Sequence, residues 1–140
     1  MNSERLRIFC LSLPHVTEDI KWGHDLCFLI AEKMFAVTSL EQSDEHGVSF
    51  KCTPEKFAEL IEIEGIIPAH YMARNHWVTL ERWDVLRDAE IEELVRESYR
   101  LVVAKLSKRM QQELATSSTK RPIAKVDKKK TKKTKASRAR

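Results

Sequence analysis

Leu26-Cys27-Phe28-Leu29-Ile30-Ala31-Glu32-Lys33-Met34-Phe35-Ala36-Val37-Thr38-Ser39-Leu40 reads as a β-hairpin, and the rest of the architecture follows from it. Leu26 to Ala31 is a short apolar run, of strand rather than helix length. Glu32-Lys33 is the polar turn. Met34 to Leu40 returns, with Phe35 and Val37 on one face and Met34, Ala36 and Thr38 on the other. Glu41 to Gly47 is a polar connection in which Gly47 supplies positive φ. Val48, Phe50 and Cys52 then alternate with Ser49 and Lys51, as in a half-buried strand. The expectation is an antiparallel sheet of three strands, or four if residues 19–22 add one. Ile20 and Trp22 then share a face. Gly23 allows a turn, and the adjacent His24 and Asp25 point apart as a turn residue and a surface charge.

Helices flank this sheet. Residues 3–13 place Leu6, Phe9, Cys10 and Leu13 on one face, with Asn2 or Ser3 as cap and Pro14 as terminator. Thr53-Pro54-Glu55 is a helix start: threonine caps, and proline sits where its missing N–H is harmless. That helix runs to about 64, with Gly65 closing it. A long helix follows over 88–110, capped by Asp88. Ile91, Leu94, Val95, Ser98, Val102 and Leu106 form its buried stripe, and Glu92 with Arg96 an exposed pair. Phe9, Phe57, Leu94 and Val102 are expected in the core. Runs of strands and helices without βαβ alternation define an α+β domain.

Between the second and third helices lies the densest group of polar and aromatic side chains, Pro68 to Leu80. Trp77 to Leu80 reads as a short strand with Trp77 in the core. The residues before it read as a loop feeding that strand, and loops on rigid elements carry much binding chemistry. His70, Tyr71, Arg74, Asn75 and His76 are therefore candidate contact residues. Lys51 and Arg82 join them as possible members of a basic patch. Two readings stand for the histidines: functional groups, or capping and hydrogen-bonding residues.

Charge divides the chain. Residues 119–140 hold eleven Lys or Arg and one acidic residue, a net +10. Of the 25 basic and 21 acidic side chains, fourteen and twenty remain in residues 1–118, so the body is −6 and the whole is +4. From Thr116 onward no apolar period survives, so 1–115 is expected as the folded domain and 116–140 as a flexible tail. Lys128, Lys129, Lys130, Lys132, Lys133 and Lys135 are its densest cations. Such a polycation binds polyanions through counterion release, with little base specificity.

Other chemistry is thinly represented. There is no glycine-rich phosphate loop and no HExxH. A zinc site from His70, His76 and Glu81 or Asp84 has a weak basis. No catalytic residue, metal or cofactor is assigned. Cys10, Cys27 and Cys52 have no CxxC spacing and apolar or strand-forming neighbours, which marks buried thiols in a reducing, cytoplasmic setting. No apolar stretch is long enough to span a membrane.

Leu13-Pro14, Val16-Thr17-Glu18, Trp22-Gly23, Lys33-Met34-Phe35-Ala36, Val48-Ser49-Phe50-Lys51-Cys52 and Pro54 occur in an order that resembles the MmcQ/YjbR family of small bacterial proteins. Pro68, Tyr71, His76-Trp77-Val78-Thr79-Leu80 and Ser98-Tyr99-Arg100-Leu101-Val102-Val103-Ala104-Lys105-Leu106 extend the resemblance over residues 4–108. It implies a frataxin-related fold and a double-wing DNA-binding arrangement, with contacts from the 70–76 loop and the exposed sheet. Glu32 departs from the family's usual glycine in the hairpin turn. Asn75 departs from the usual basic residue before the His-Trp pair. The resulting expectation is a non-enzymatic, nucleoid-associated DNA-binding accessory protein, with RNA as another polyanion it could bind. The alternative is a module that binds a protein or small ligand at the central loop, and the third reading is an enzyme using the His70–His76 region.

Overall fold

The computed structural model describes residues 1–41, 46–70 and 72–117. Its first unit, Met1–Lys105, holds one six-stranded sheet and three α-helices. The elements run α1 (Ser3–Leu11), β1 (Val16–Lys21), β2 (Asp25–Ile30), β3 (Lys33–Ser39), β4 (Val48–Lys51), α2 (Pro54–Leu60), β5 (Ile66–Pro68), a 3-10 turn (Ala73–Asn75), β6 (Trp77–Leu80) and α3 (Asp88–Ala104). Strand order is β1-β2-β3-β4-β6-β5, and every pairing is antiparallel. The α+β class holds, with a larger sheet than the three or four strands expected. β1 begins three residues earlier than the 19–22 segment. The three-residue β5 is too short to show a period.

The hairpin turn sits one residue earlier than its polarity indicated. Ile30 pairs with Lys33, and the turn residues are Ala31 (φ 52) and Glu32 (φ 67). Two successive left-handed residues make a type I′ turn, whose twist matches the flanking strands. Backbone twist, not side-chain polarity, places this turn.

β3 also departs from simple alternation. Phe28 pairs with Ala36 and Leu29 with Met34, so Phe35 is an extra residue in a β-bulge. The bulge separates Phe35 from Val37, which were expected on one face. Phe35 is fully buried, with its ring edge-on to Tyr99 of α3 at 5.4 Å. At the bulge, the Phe35 carbonyl is reached from α3. Ser98 of α3 donates its hydroxyl to that carbonyl at 2.7 Å and accepts from the Lys51 N–H at 3.0 Å. A serine in the buried stripe thus bonds two backbone groups of the sheet.

One row of the sheet is core: Phe28, Ala36, Phe50 and Val78 are paired across β2, β3, β4 and β6 and fully buried. Leu6 and Cys10 of α1 and Ile91, Val95, Ser98 and Val102 of α3 are buried too. Of the four expected anchors only Val102 is buried; Phe9, Phe57 and Leu94 are half-exposed. Leu94 lies beside the stripe formed by Ile91, Val95, Ser98 and Val102 rather than in it. Phe9 instead carries the Arg96 guanidinium 5.1 Å above its ring. Arg96 pairs with Glu93 rather than Glu92, because i,i+3 neighbours also meet on a helix surface.

Caps explain the helix starts. The Asn2 side chain accepts from Arg5 N at 2.8 Å, and the Thr53 hydroxyl accepts from Lys56 N at 3.1 Å. Arg87, not Asp88, is the N-cap of α3, its N–H donating to Glu90 Oε1 at 3.1 Å. Asp88 is turned to Arg5 at 2.9 Å. α2 ends at Leu60, and Gly65 lies beyond it in the turn into β5. Its φ of +97 and a Val85 methyl 2.7 Å from where a Cβ would sit both require glycine there. Gly47 does not take positive φ as expected. Its N–H donates to Leu80 O at 2.8 Å, in a strand-like approach.

The helix expected over 88–110 ends at Ala104. The second unit, Leu106–Arg140, contains α4 (Lys108–Ser117). Ser107 starts it, accepting from Met110 N at 3.1 Å. A serine that caps a new helix competes with continuation of the old one. α4 also continues past Gln112, where helical character was expected to fade. Residues 118–140, with all the tail lysines, lie outside the described residues.

Candidate functional site

The central stretch is held by its own backbone. Ala69 N–H donates to Trp77 O at 2.9 Å, and Trp77 N–H to Met72 O at 3.3 Å. His76 adopts left-handed φ 64, ψ 42 to bring the chain into β6. Its carbonyl accepts from Cys52 N at 2.9 Å. Trp77 is only 6% exposed and belongs to the core, as expected.

These contacts sort the candidates. Lys51 and Asn75 meet, the Lys51 ammonium donating to Asn75 O at 3.1 Å. Burial, then the charge of Lys105, pulls the Lys51 pKa down. The imidazole of His76 lies edge-on against Phe57 of α2, ring centres 5.5 Å apart, rather than facing an open polar site. Arg74 is exposed on the 3-10 turn. Arg82 follows the other end of β6 and pairs with Asp84 at 3.1 Å. A strand rises roughly 3.3 Å per residue, so the length of β6 separates Arg74 from Arg82. Tyr71 lies outside the described residues. Among the described residues, no group of three His, Cys, Asp or Glu side chains is placed to hold a metal.

His70 belongs to a different place. It lines a cavity of about 700 Å³ over the sheet face opposite the buried row. The floor is the alternate cross-strand row, Val37, Ser49 and Thr79, from β3, β4 and β6. The Ser49 and Thr79 hydroxyls lie 2.7 Å apart, leaving hydrogen-bonding capacity at the middle of that floor. One wall is Ile67 to His70 with Met72, the other Trp22 and Asp25 from the β1–β2 turn. Trp22 is 67% exposed and takes φ 54, followed by Gly23 at φ 84. This turn curls back, so His24 Nδ1 and Asp25 Oδ1 meet at 2.9 Å. The expectation that these neighbours diverge holds for regular structure; here His24 is in the turn and Asp25 opens β2.

Sequence reading missed this floor. Ser49 was visible as the polar partner in an alternating strand, and Thr79 as part of a short one. Their juxtaposition depends on β4 pairing with β6, across an intervening helix and strand. Trp22 was expected to share a strand face with Ile20 and Asp25 to be a surface charge; instead β1 ends at Lys21, and both side chains reach the cavity rim.

The family model described as YjbR matches residues 11–101, and the chain belongs to the YjbR family. It is 32% identical over 96 residues to "Uncharacterized protein YyaQ" of Bacillus subtilis (strain 168), covering 64% of this chain and 73% of that protein. Among solved structures it resembles Deinococcus radiodurans protein DR2400, a DUF419 domain. The TM-score is 0.74 at 30% identity, over 81% of this chain and 88% of that one. A Pseudomonas syringae protein shares the fold, with TM-score 0.61 at 22% identity over 72% and 98% of the two chains. Among the described residues, no helix is long and apolar enough to cross a membrane.

Proposed function

We propose that the folded body is a non-enzymatic binding module, and that its ligand is a small amphipathic molecule held on the open face of the sheet. The observation that carries this reading is the 700 Å³ cavity with apolar walls and the Ser49–Thr79 hydroxyl pair in its floor. Ligand sites are concave, mostly apolar and furnished with a few placed polar groups, within this range of volume. A fragment screen by two-dimensional NMR on the full chain tests it. Binders should shift the amides of Val37, Ser49 and Thr79 together, and Val37→Phe should block them by filling the floor. Shifts that cluster on other elements would refute the reading.

A second reading concerns nucleic acid and rests on the charge partition. Residues 119–140 carry +10 and residues 1–118 carry −6. In this reading the tail supplies sequence-independent attraction to DNA or RNA, at the bacterial nucleoid, while Lys51, Arg74 and Arg82 add little. The Lys51 ammonium is already bound to Asn75 and Arg82 to Asp84. Partner protein binding at the 70–76 loop would compete with the cavity ligand, because His70 and Met72 line the cavity.

A further inference from the structure

The geometry points to a ligand of one charge type: an arylalkylamine, held with its ring against Trp22 and the methionines and its ammonium at Asp25. This rests on the cavity reading above and adds the chemical class. Among the described residues that line the cavity, Asp25 is the one carboxylate, and no Lys or Arg is present. The basic groups in the lining are two imidazoles, His46 and His70, so a phosphate or carboxylate ligand would meet no permanently cationic side chain to offset its desolvation.

Asp25 is suited to a cation. It is partly buried, its side chain 26% exposed, so a bound charge there is screened less than on the open surface. Its Oδ1 contacts His24 Nδ1 at 2.9 Å, while its Oδ2 has no partner among the described residues. Its cross-strand neighbour Lys21 leans instead toward Asp19 at 3.6 Å. Trp22, on the same rim, offers the aromatic face that attracts cations most strongly. Met34 and Met72 bring polarisable thioethers that pack well against rings. An ammonium at Asp25 and a ring over the apolar floor would satisfy both halves of the site.

Three probes of similar size separate charge from shape: 2-phenylethylamine, 2-phenylethanol and 3-phenylpropionate. Each is titrated by calorimetry into the full chain, with NMR shifts to locate the site. The amine should bind about tenfold more tightly than the alcohol, as a charge-assisted hydrogen bond implies. The propionate should be weakest. Asp25→Asn should bring the amine level with the alcohol and leave the alcohol unchanged. Trp22→Ala should weaken both. An amine no better than the alcohol, or a preference that survives in Asp25→Asn, would overturn the charge assignment while leaving the cavity reading in place. If none of the three shifts the floor residues, the assignment falls together with the cavity reading.

Discussion

The three cysteines show how burial alone sets side-chain chemistry. Cys10, Cys27 and Cys52 are free thiols with at most 4% exposure. Burial pushes Cys27 and Cys52 up to about 11, and Cys10 higher still. A neutral thiol tolerates a low-dielectric site and a thiolate does not. The folded state therefore holds its thiol protons where an unfolded chain, near the ordinary 9.0, has released them. Stability from this source is complete below about pH 9 and declines as pH rises from 9 toward 11. Urea unfolding across that range should show the decline, and Cys27→Ala should make it shallower. Iodoacetamide at pH 8 should label the native protein far more slowly than the unfolded chain; equal rates would show open thiols. Sequence neighbours indicated burial for all three, because each sits among apolar or strand-forming residues. Asp25 and Trp22 were not legible as site residues, because nothing local marks which surface groups a distant strand will join.

Secondary structure followed from short-range rules wherever those rules acted alone. Capping by Thr53 and the alternation of β4 were both readable. The failures came where tertiary contacts or backbone geometry prevailed. The hairpin turn takes Ala31 and Glu32 at positive φ, a conformation that L side chains adopt at some strain. Glu32→Gly, or Ala31→Asn with Glu32→Gly, should stabilise the protein by roughly 0.4–1 kcal/mol, since these residues favour a type I′ turn. Thermal unfolding measures it, and a destabilised double variant would mean the strain is absent. Ser98 presents the opposite case, a polar residue inside a buried stripe. Ser98→Ala removes the partner of both Phe35 O and Lys51 N, and should cost about 1–3 kcal/mol. Ser98→Thr keeps the hydroxyl and should retain more of the stability. If alanine proves harmless, the bulge finds its hydrogen bonds elsewhere.

Taken whole, the chain joins an acidic folded body to a cationic segment, and these need not act on the same partner. Charge distribution and the α+β class were legible because both are additive over the sequence. Cavity location was not, because it depends on the order of six strands. The charge division makes a separable prediction. Full-length protein should bind a DNA duplex weakly and lose affinity steeply as salt rises, one increment of slope per phosphate neutralised. Residues 1–118 should bind far less and keep the unfolding transition of the body. Undiminished duplex binding by residues 1–118 would move the nucleic-acid contact onto the folded surface. Ligand titrations with the same two proteins should coincide if the cavity works alone.

The bulge at Phe35 has a consequence for the durability of the cavity. An extra residue bends its strand. Met34 and Val37 flank that bend, and both line the cavity. Curvature of the floor is then set by a count of backbone units rather than by the bulk of any side chain. Such a surface exists before a ligand arrives, so binding need not freeze a mobile floor into shape. It also tolerates changes of rim composition, as point substitutions at Trp22 or His70 alter what is recognised without flattening the sheet. Removal of one residue from β3 would be different in kind. It would restore simple alternation between the turn and Ala36, reversing which neighbours face the helix and which face the ligand, and the core and the binding surface would fail together.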